Sequence, residues 1–351
     1  MTLAPSSSTP HSAKPKASRL KRTLVRLAYV LGVVVLLLVV GEITARIMGH
    51  RPWQEVVQEI QVDPGGRLYD KDPILGYRGR NGTYQLTLRD SLKFTVTHDS
   101  LGWRHPKALS DTLPEIWVLG CSFTHGYGVS DGEEYPAQLQ QLLPSYRVRN
   151  YSMDGFGTLQ NWLTLRDQLA AGGRPKAVVL GYGAFHDQRN TANRYWRKAL
   201  HGQQIADGLR YPFIRLDDRD SLHVHYDSLT YHPLPLQRYL ALASLIEENW
   251  NRSEDKGLRS RYVTEVLIQR MVRLSKDAGA QFVLAGVYQH PETAHMLEVF
   301  HLEGIPTVDI SQNLDDPSLR ILPGNGHPNP KAHQAMAESL ATFLQNKVLH
   351  P

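Results

Sequence analysis

Five short apolar runs, each set off from the next by a stretch of helical periodicity, constrain this chain more than any other feature. EIWVLG (115–120), YRVRNYS (146–152), KAVVLGYG (176–183), QFVLAGVY (281–288) and IPTVDI (305–310) read as strands. The third is an unbroken apolar run, the pattern of a strand covered on both faces. YPAQLQQLL (135–143), LQNWLTLRDQLAAGG (159–173), TEVLIQRMVRLSKDAGA (264–280), MLEVFHLEG (296–304) and PKAHQAMAESLATFLQNKV (330–348) place apolar residues at helical spacing. Strands alternating with helices predict an α/β fold, a three-layer sandwich around a five-stranded parallel sheet. In such sheets reactive groups gather beyond the carboxyl ends of the strands. The loops that follow the strands are therefore where chemistry is to be sought.

A second constraint lies ahead of this body. LAYVLGVVVLLLVVG (27–41) has no charge, and extending it to residue 49 adds Glu42 and Arg46, four apart on one helix face. Twenty-three residues at about 1.5 Å each cross a bilayer of roughly 30 Å. Residues 1–26 carry Lys14, Lys16, Arg19, Lys21, Arg22 and Arg26 and no acid. The positive-inside rule then places a disordered basic tail, 1–26, in the cytoplasm and everything after residue 50 outside. GEITARIMG offers no good small-x-small cleavage site, so 27–49 is expected to stay as a transmembrane anchor. The chain's net charge of +5 comes from that tail, and nothing demands a basic nucleic-acid face on the rest. The single cysteine, Cys121, excludes an intramolecular disulfide and any cysteine-based zinc cluster.

Between anchor and sheet, residues 50–113 read as an irregular approach segment. Its one clear element is a β-hairpin over TYQLTLRDSLKFTVTH (83–98), turning at 89–91. A second interruption, at about 184–257, is rich in aromatics, His and Asp and holds another hairpin, FIRLDDRDSLHVHYDSL. His223, His225 and Asp227 have metal-like spacing there, but alternating polar residues are ordinary on an exposed hairpin. No metal or organic cofactor is expected. There is no Walker-type loop and no His-Glu-x-x-His helix.

Four post-strand loops offer chemistry. Ser122, in LGCSFTHGYGV, can expose its hydroxyl and its N–H together beyond the first strand. Gly155, in NYSMDGFGTLQ, lets a substrate oxygen approach a bare N–H. GYGAFHDQRN groups His186, Asp187, Arg189 and Asn190 at one mouth, where a side-chain N–H can complete an oxyanion hole. His327, in GNGHPNPKAH, sits on a loop that Pro330 turns into a helix, a place for a general base. Singly, each has an ordinary reading: a helix cap, a loop glycine, a solvated ion pair, a loop histidine. Their order along one sheet brings them to one rim. His333, inside the first helical turn, reads as structural.

This order resembles the SGNH/GDSL hydrolase superfamily, over residues 115–190 and 264–345. GCSFTHGYGVSDGEEYPAQL is similar to the family's GDSFT block, NYSMDGFGTLQ to its N-x-x-x-x-G-x-G-T block, and GHPNPKAHQAMA to its HPN-x-x-GH block. The anchor followed by DPILGYRGRN and TVTHDSLGWR resembles the family's membrane-anchored, exported branch. The resemblance implies an SGNH (flavodoxin-like) domain over 114–351 with the insertion at 184–257. It implies Ser122 as nucleophile and His327 as general base. The backbone N–H groups of Ser122 and Gly155 would bind the oxyanion. The family's third donor is an Asn. Here His186 is the expected substitute and Asn190 the fallback. Two positions depart from the pattern: Cys121 replaces the Asp before the nucleophile, and Gly324 and Asn325 stand where an acid would orient the histidine. The base would then be oriented by a backbone carbonyl or by an acid from elsewhere. Cys121 itself is set aside as nucleophile, because adjacent residues leaving a strand point to opposite sides. The function implied is a membrane-anchored, extracytoplasmic serine esterase or acylhydrolase acting on a small acyl ester or acylated glycan. The alternatives are an O-acyltransferase acting on surface polysaccharide, or a non-catalytic glycan-binding or assembly protein on the same scaffold.

Overall fold

The computed structural model describes residues 17–55, 60–107, 110–201, 208–322 and 326–349. In chain order its first half holds α1 (Ala17–Ile47), β1 (Ile60–Asp63), β2 (Tyr69–Asp72), β3 (Gly76–Gly79), β4 (Gly82–Leu88), β5 (Leu92–His98), β6 (Glu115–Leu119), α2 (Ser122–His125), α3 (Tyr135–Leu142), β7 (Arg147–Asn150), α4 (Thr158–Ala170) and β8 (Ala177–Tyr182). Then follow α5 (Phe185–Asn190), α6 (Arg194–Leu200), β9 (Arg210–Leu216), β10 (Leu222–Ser228), α7 (Ala241–Leu258), α8 (Ser260–Asp277), β11 (Gln281–Gly286), α9 (Pro291–Leu302), β12 (Thr307–Asp309) and α10 (Pro330–Leu344), closed by one π-helical turn. These elements fall into two compact units, one of residues up to 54 with 233–250, the other of 55–232 with 251 onward.

In the first unit, the stretch Leu20–Ile47 of α1 has a mean hydropathy of 2.6 and is long and apolar enough to cross a membrane. The helix starts at Ala17, so residues 17–26 are helical and not part of a disordered tail. Ala, Leu, Lys and Arg are good helix formers, and extending an existing helix needs no new nucleus. Glu42 and Arg46 pair as their spacing predicts, at 2.6 Å. The same carboxylate accepts from the N–H groups of Ala241 (3.1 Å) and Leu242 (2.9 Å), the first two residues of α7. Those are donors with no partner inside their own helix.

In the second unit the five expected strands form one parallel sheet in the order β12-β11-β8-β6-β7. Strand residues alternate between its faces. Ile116, Val118, Val148, Val179 and Val283 pack with Leu139 of α3 and Met336 and Leu340 of α10. Trp117, Leu119, Val178, Leu180 and Phe282 pack on the other face with Leu163 of α4, Leu267 of α8 and Phe300 of α9. These are the three layers. The chain leaves β6 to build β7 on one side and β8 on the other, so the sheet's switch point lies beyond β6 and β8, where such folds open a crevice.

The approach segment is more regular than expected. β4 and β5 form the predicted hairpin through a three-residue turn, 89–91, with Arg89 and Asp90 at φ 49° and 54°. β1 adds a third antiparallel strand, and β2 and β3 make a second small hairpin. These extra strands read IQVD, YDKD and GYRG, four residues each and too short for a period to show. β9 and β10 form the predicted hairpin of the insertion. On it His223 Nε2 lies 3.0 Å from Asp217, across the turn.

Candidate active site

Ser122 is the first residue of α2, a single helical turn that Gly126 ends at φ 89°. Its Oγ lies 2.8 Å from His327 Nε2, although the two are 205 residues apart in sequence. The loop carrying His327 is tied at both ends. Ile321 N donates to the His327 carbonyl (2.9 Å), and Asn329 caps α10 by accepting from Ala332 N (3.1 Å) while donating to Ser318 O (2.8 Å). The rings of Phe123 and Tyr127 pack 5.1 and 4.7 Å from the imidazole. That desolvation pushes the His327 pKa down to about 4, against the pull of Asp154 and with the push of Arg189. The ring is therefore neutral at pH 7, and in the tautomer with its proton on Nδ1 the Nε2 can accept from the serine hydroxyl. Cys121 is fully buried, and burial pushes its thiol up in pKa, so it stays a thiol at neutral pH.

Gly155 sits in the loop after β7 at φ 75°. A Cβ there would lie 2.5 Å from the Tyr77 hydroxyl, so only glycine fits. Tyr77 donates to the Asp154 carbonyl and Tyr211 to the Gly155 carbonyl (3.3 Å). Asn161 binds this loop to the nucleophile strand: its Oδ1 accepts from Gly120 N (3.0 Å) and its Nδ2 donates to Gly157 O (2.9 Å).

Residues 185–190 form a helix, α5, where the sequence suggested a loop. Turning by 100° per residue sends its side chains two ways. His186, Asp187 and Asn190 are buried inward. Phe185, Gln188 and Arg189 line the cleft that holds Ser122 and His327. His186 is within 3.2 Å of Thr158 Oγ1, and burial holds its pKa well below the usual histidine range. Asn190 is committed on both amide atoms, accepting from Leu159 N (2.9 Å) and donating to Thr264 (2.8 Å). Neither is among the cleft-lining residues. The cleft encloses about 390 Å³, and Tyr195, Trp196, Tyr288, Asp315 and Arg320 complete most of its wall.

Gly324 and Asn325, where an acid was looked for, lie outside the described residues. The carboxylate felt by His327 is that of Asp154, which sequence reasoning passed over although it directly precedes Gly155. Asp154 Oδ1 lies 3.1 Å from His125 Nδ1, Oδ2 accepts from the Tyr69 hydroxyl, and His125 Nε2 is 3.0 Å from His98 Nε2. Burial opposes the charge on Asp154, but His125, Tyr69 and His327 together hold its pKa at about 2. It is ionised at neutral pH and favours the protonated form of His327. His333 accepts from Tyr135 N (3.2 Å) at the start of α3, a structural role.

No protein family description matches this sequence, and no curated protein matches it. Among solved structures, the chain is similar to TesA, at 15% identity and a TM-score of 0.40 over 66% of this chain and 98% of that one. It is similar to a lipolytic protein of the G-D-S-L family from Veillonella parvula, at 12% identity and a TM-score of 0.40, again over 66% and 98%. A family two carbohydrate esterase from Clostridium thermocellum is 14% identical, with a TM-score of 0.37 over 83% of this chain and 86% of its own.

Proposed function

We propose that this chain is a serine acylhydrolase of SGNH type, held at a membrane by α1 with its catalytic unit on the extracytoplasmic side. The observation that carries the reading is the 2.8 Å approach of Ser122 Oγ to a neutral His327 Nε2 at the switch point of a parallel sheet. In this reading Ser122 Oγ adds to the ester carbonyl carbon as its proton passes to His327 Nε2. The carbonyl oxygen becomes an oxyanion facing the N–H groups of Ser122 and Gly155. Collapse breaks the bond to the alcohol, which leaves with the proton from His327. Water, deprotonated by the same nitrogen, then releases the acid and restores Ser122.

One observation favours glycan esters as substrate and a sugar hydroxyl as an alternative acceptor. Tyr195 and Trp196, both contributed by the insertion, stand in the cleft wall with Phe185 and Tyr288, and aromatic faces are apolar platforms for a sugar ring. Acyl transfer to a polysaccharide would use the same acyl-enzyme.

The test is hydrolysis of short p-nitrophenyl esters by the full-length protein in detergent, alongside Ser122→Ala and labelling by a fluorophosphonate. Ser122-dependent turnover and labelling are expected. Turnover that survives Ser122→Ala removes the nucleophile assignment, and absence of both turnover and labelling favours the non-catalytic, glycan-binding reading. Addition of a glycan acceptor separates hydrolysis from transfer, through the acylated product.

A further inference from the structure

The proposed oxyanion hole has two backbone donors, and the two side chains first considered for a third place point into the protein. Arg189 does not. On the cleft face of α5 its Nη1 donates to Phe156 O at 2.9 Å, and Phe156 directly follows Gly155. The guanidinium also stands beside the thiol of Cys121, which directly precedes Ser122. It is thus tethered to the residue that follows Gly155, beside the side chain that precedes Ser122, and it lines the same cleft as Ser122 and His327. Phe185 and Trp196 sandwich it, their rings 4.3 and 4.7 Å from its central carbon. Two aromatic faces compensate the charge without using up its N–H groups. Its Nε is buried and has no hydrogen-bond partner among the described residues, so Nη1 is tethered while the rest of the fork is not held by a carboxylate.

We propose that the Arg189 guanidinium is the third oxyanion donor of this site. A planar fork held at one N–H by a backbone carbonyl keeps its remaining N–H groups pre-aimed. A charged donor stabilises developing negative charge more strongly than a neutral amide does. The inference rests on the acylhydrolase reading and adds to it a residue that touches the reacting oxygen.

The experiment compares kcat and KM for a neutral short-chain p-nitrophenyl ester among the full-length wild type, Ser122→Ala, Arg189→Gln, Arg189→Lys and Arg189→Ala. A neutral ester leaves Arg189 no charged substrate group to hold. Arg189→Gln is expected to lower kcat about 10²–10³-fold, the usual loss for one oxyanion donor, with KM little changed. Arg189→Lys, which keeps the charge and loses the fork, falls between. Ethylguanidinium added to Arg189→Ala restores part of kcat, which a purely structural role for the side chain would not allow. An unchanged kcat, or a raised KM with kcat intact, overturns the proposal. Where thermal melting shows Arg189→Gln unfolded at the assay temperature, Arg189→Lys decides by the same two readouts. A wild type without Ser122-dependent turnover overturns the acylhydrolase reading and this proposal together. An active wild type whose kcat is indifferent to Arg189 overturns this proposal alone.

Discussion

His327 works between two opposed fields. Burial beneath Phe123 and Tyr127 favours its neutral form, and Arg189 adds to that. The Asp154 carboxylate favours its charged form. A general base must be neutral to start, yet the transition state makes it an imidazolium, so an ionised buried carboxylate nearby lowers the barrier. The pH dependence follows. With the free ring titrating near 4, kcat/KM rises as pH passes through about 4 and levels above it. Asp154→Asn removes the one contribution that raises the His327 pKa, so the acid limb moves to lower pH while kcat falls. The fall is expected to be smaller than the roughly 10⁴-fold loss seen when a directly bonded triad Asp is replaced in a serine protease. A pH–rate profile of the two proteins checks both signs. A limb that stays in place in Asp154→Asn would show that the carboxylate does not act on His327. The carboxylate's other partners, His125 and Tyr69, tie it to the turn bearing Ser122 and to β2. In the proposed mechanism Asp154, from the loop carrying Gly155, acts on His327 where the usual acid is missing.

At the scale of elements, α10 positions the base. Its N-cap Asn329 satisfies Ala332 N, and the same side chain holds Ser318 O, so one amide fixes both the helix start and the loop before His327. Asn329→Ala is expected to cost about 1 kcal/mol, the typical loss of an N-cap, and to lower kcat through a displaced imidazole. Denaturant unfolding and turnover measured on the same variant check the pair of effects. A loss of stability with kcat intact would mean that backbone bonds such as Ile321 N to His327 O and Asn329 N to Leu319 O suffice to hold the loop. The elements also show what a sequence can and cannot disclose. The central sheet strands were legible because burial on both faces removes every polar residue from runs such as AVVL, and the edge strands RVRN and TVD by their place in the alternation of strands and helices. The strands β2 and β3 were not, because YDKD and GYRG have neither period nor apolar content. The meeting of Ser122 with His327 followed from the order of four loops. The role proposed for Arg189 did not, because FHDQRN was read as a loop. Once it is a helix, the inward face takes 186, 187 and 190, and the cleft face takes 185, 188 and 189. Helical phase at a strand's end decides which donor faces the nucleophile, and six residues carry too little pattern to declare it.

For the whole molecule, burial holds several histidines below their usual pKa, and that links stability to pH. Burial, the largest cause in each case, lowers His98 and His333 to about 3 and His105 and His327 to about 4, and it holds His186 well below its usual range. In the unfolded chain these rings titrate near 6.5. As pH falls below about 6.5 the unfolded state takes up protons that the folded state refuses until pH 4 to 3, so stability declines across that window. Each unit of separation is worth about 1.4 kcal/mol, so His105 alone contributes on the order of 3 kcal/mol against a typical total of roughly 5–15 kcal/mol. Asp187, raised to about 7 mainly by burial, works the other way from about pH 7 down to about 4, where the unfolded carboxyl is protonated too. Asp154, ionised down to about 2, adds to the loss below pH 4. Five rings outweigh the two carboxyls that burial raises, Asp187 and Glu134, and the melting temperature is expected to fall between pH 6.5 and 4. His333→Asn offers the check. An asparagine oxygen can still accept from Tyr135 N, while the group no longer titrates, so the drop in melting temperature between pH 7 and pH 4.5 should be smaller than in the wild type. Equal drops in the two proteins would mean that His333 is protonated in the folded state, and that its burial does not feed the acid sensitivity of the fold.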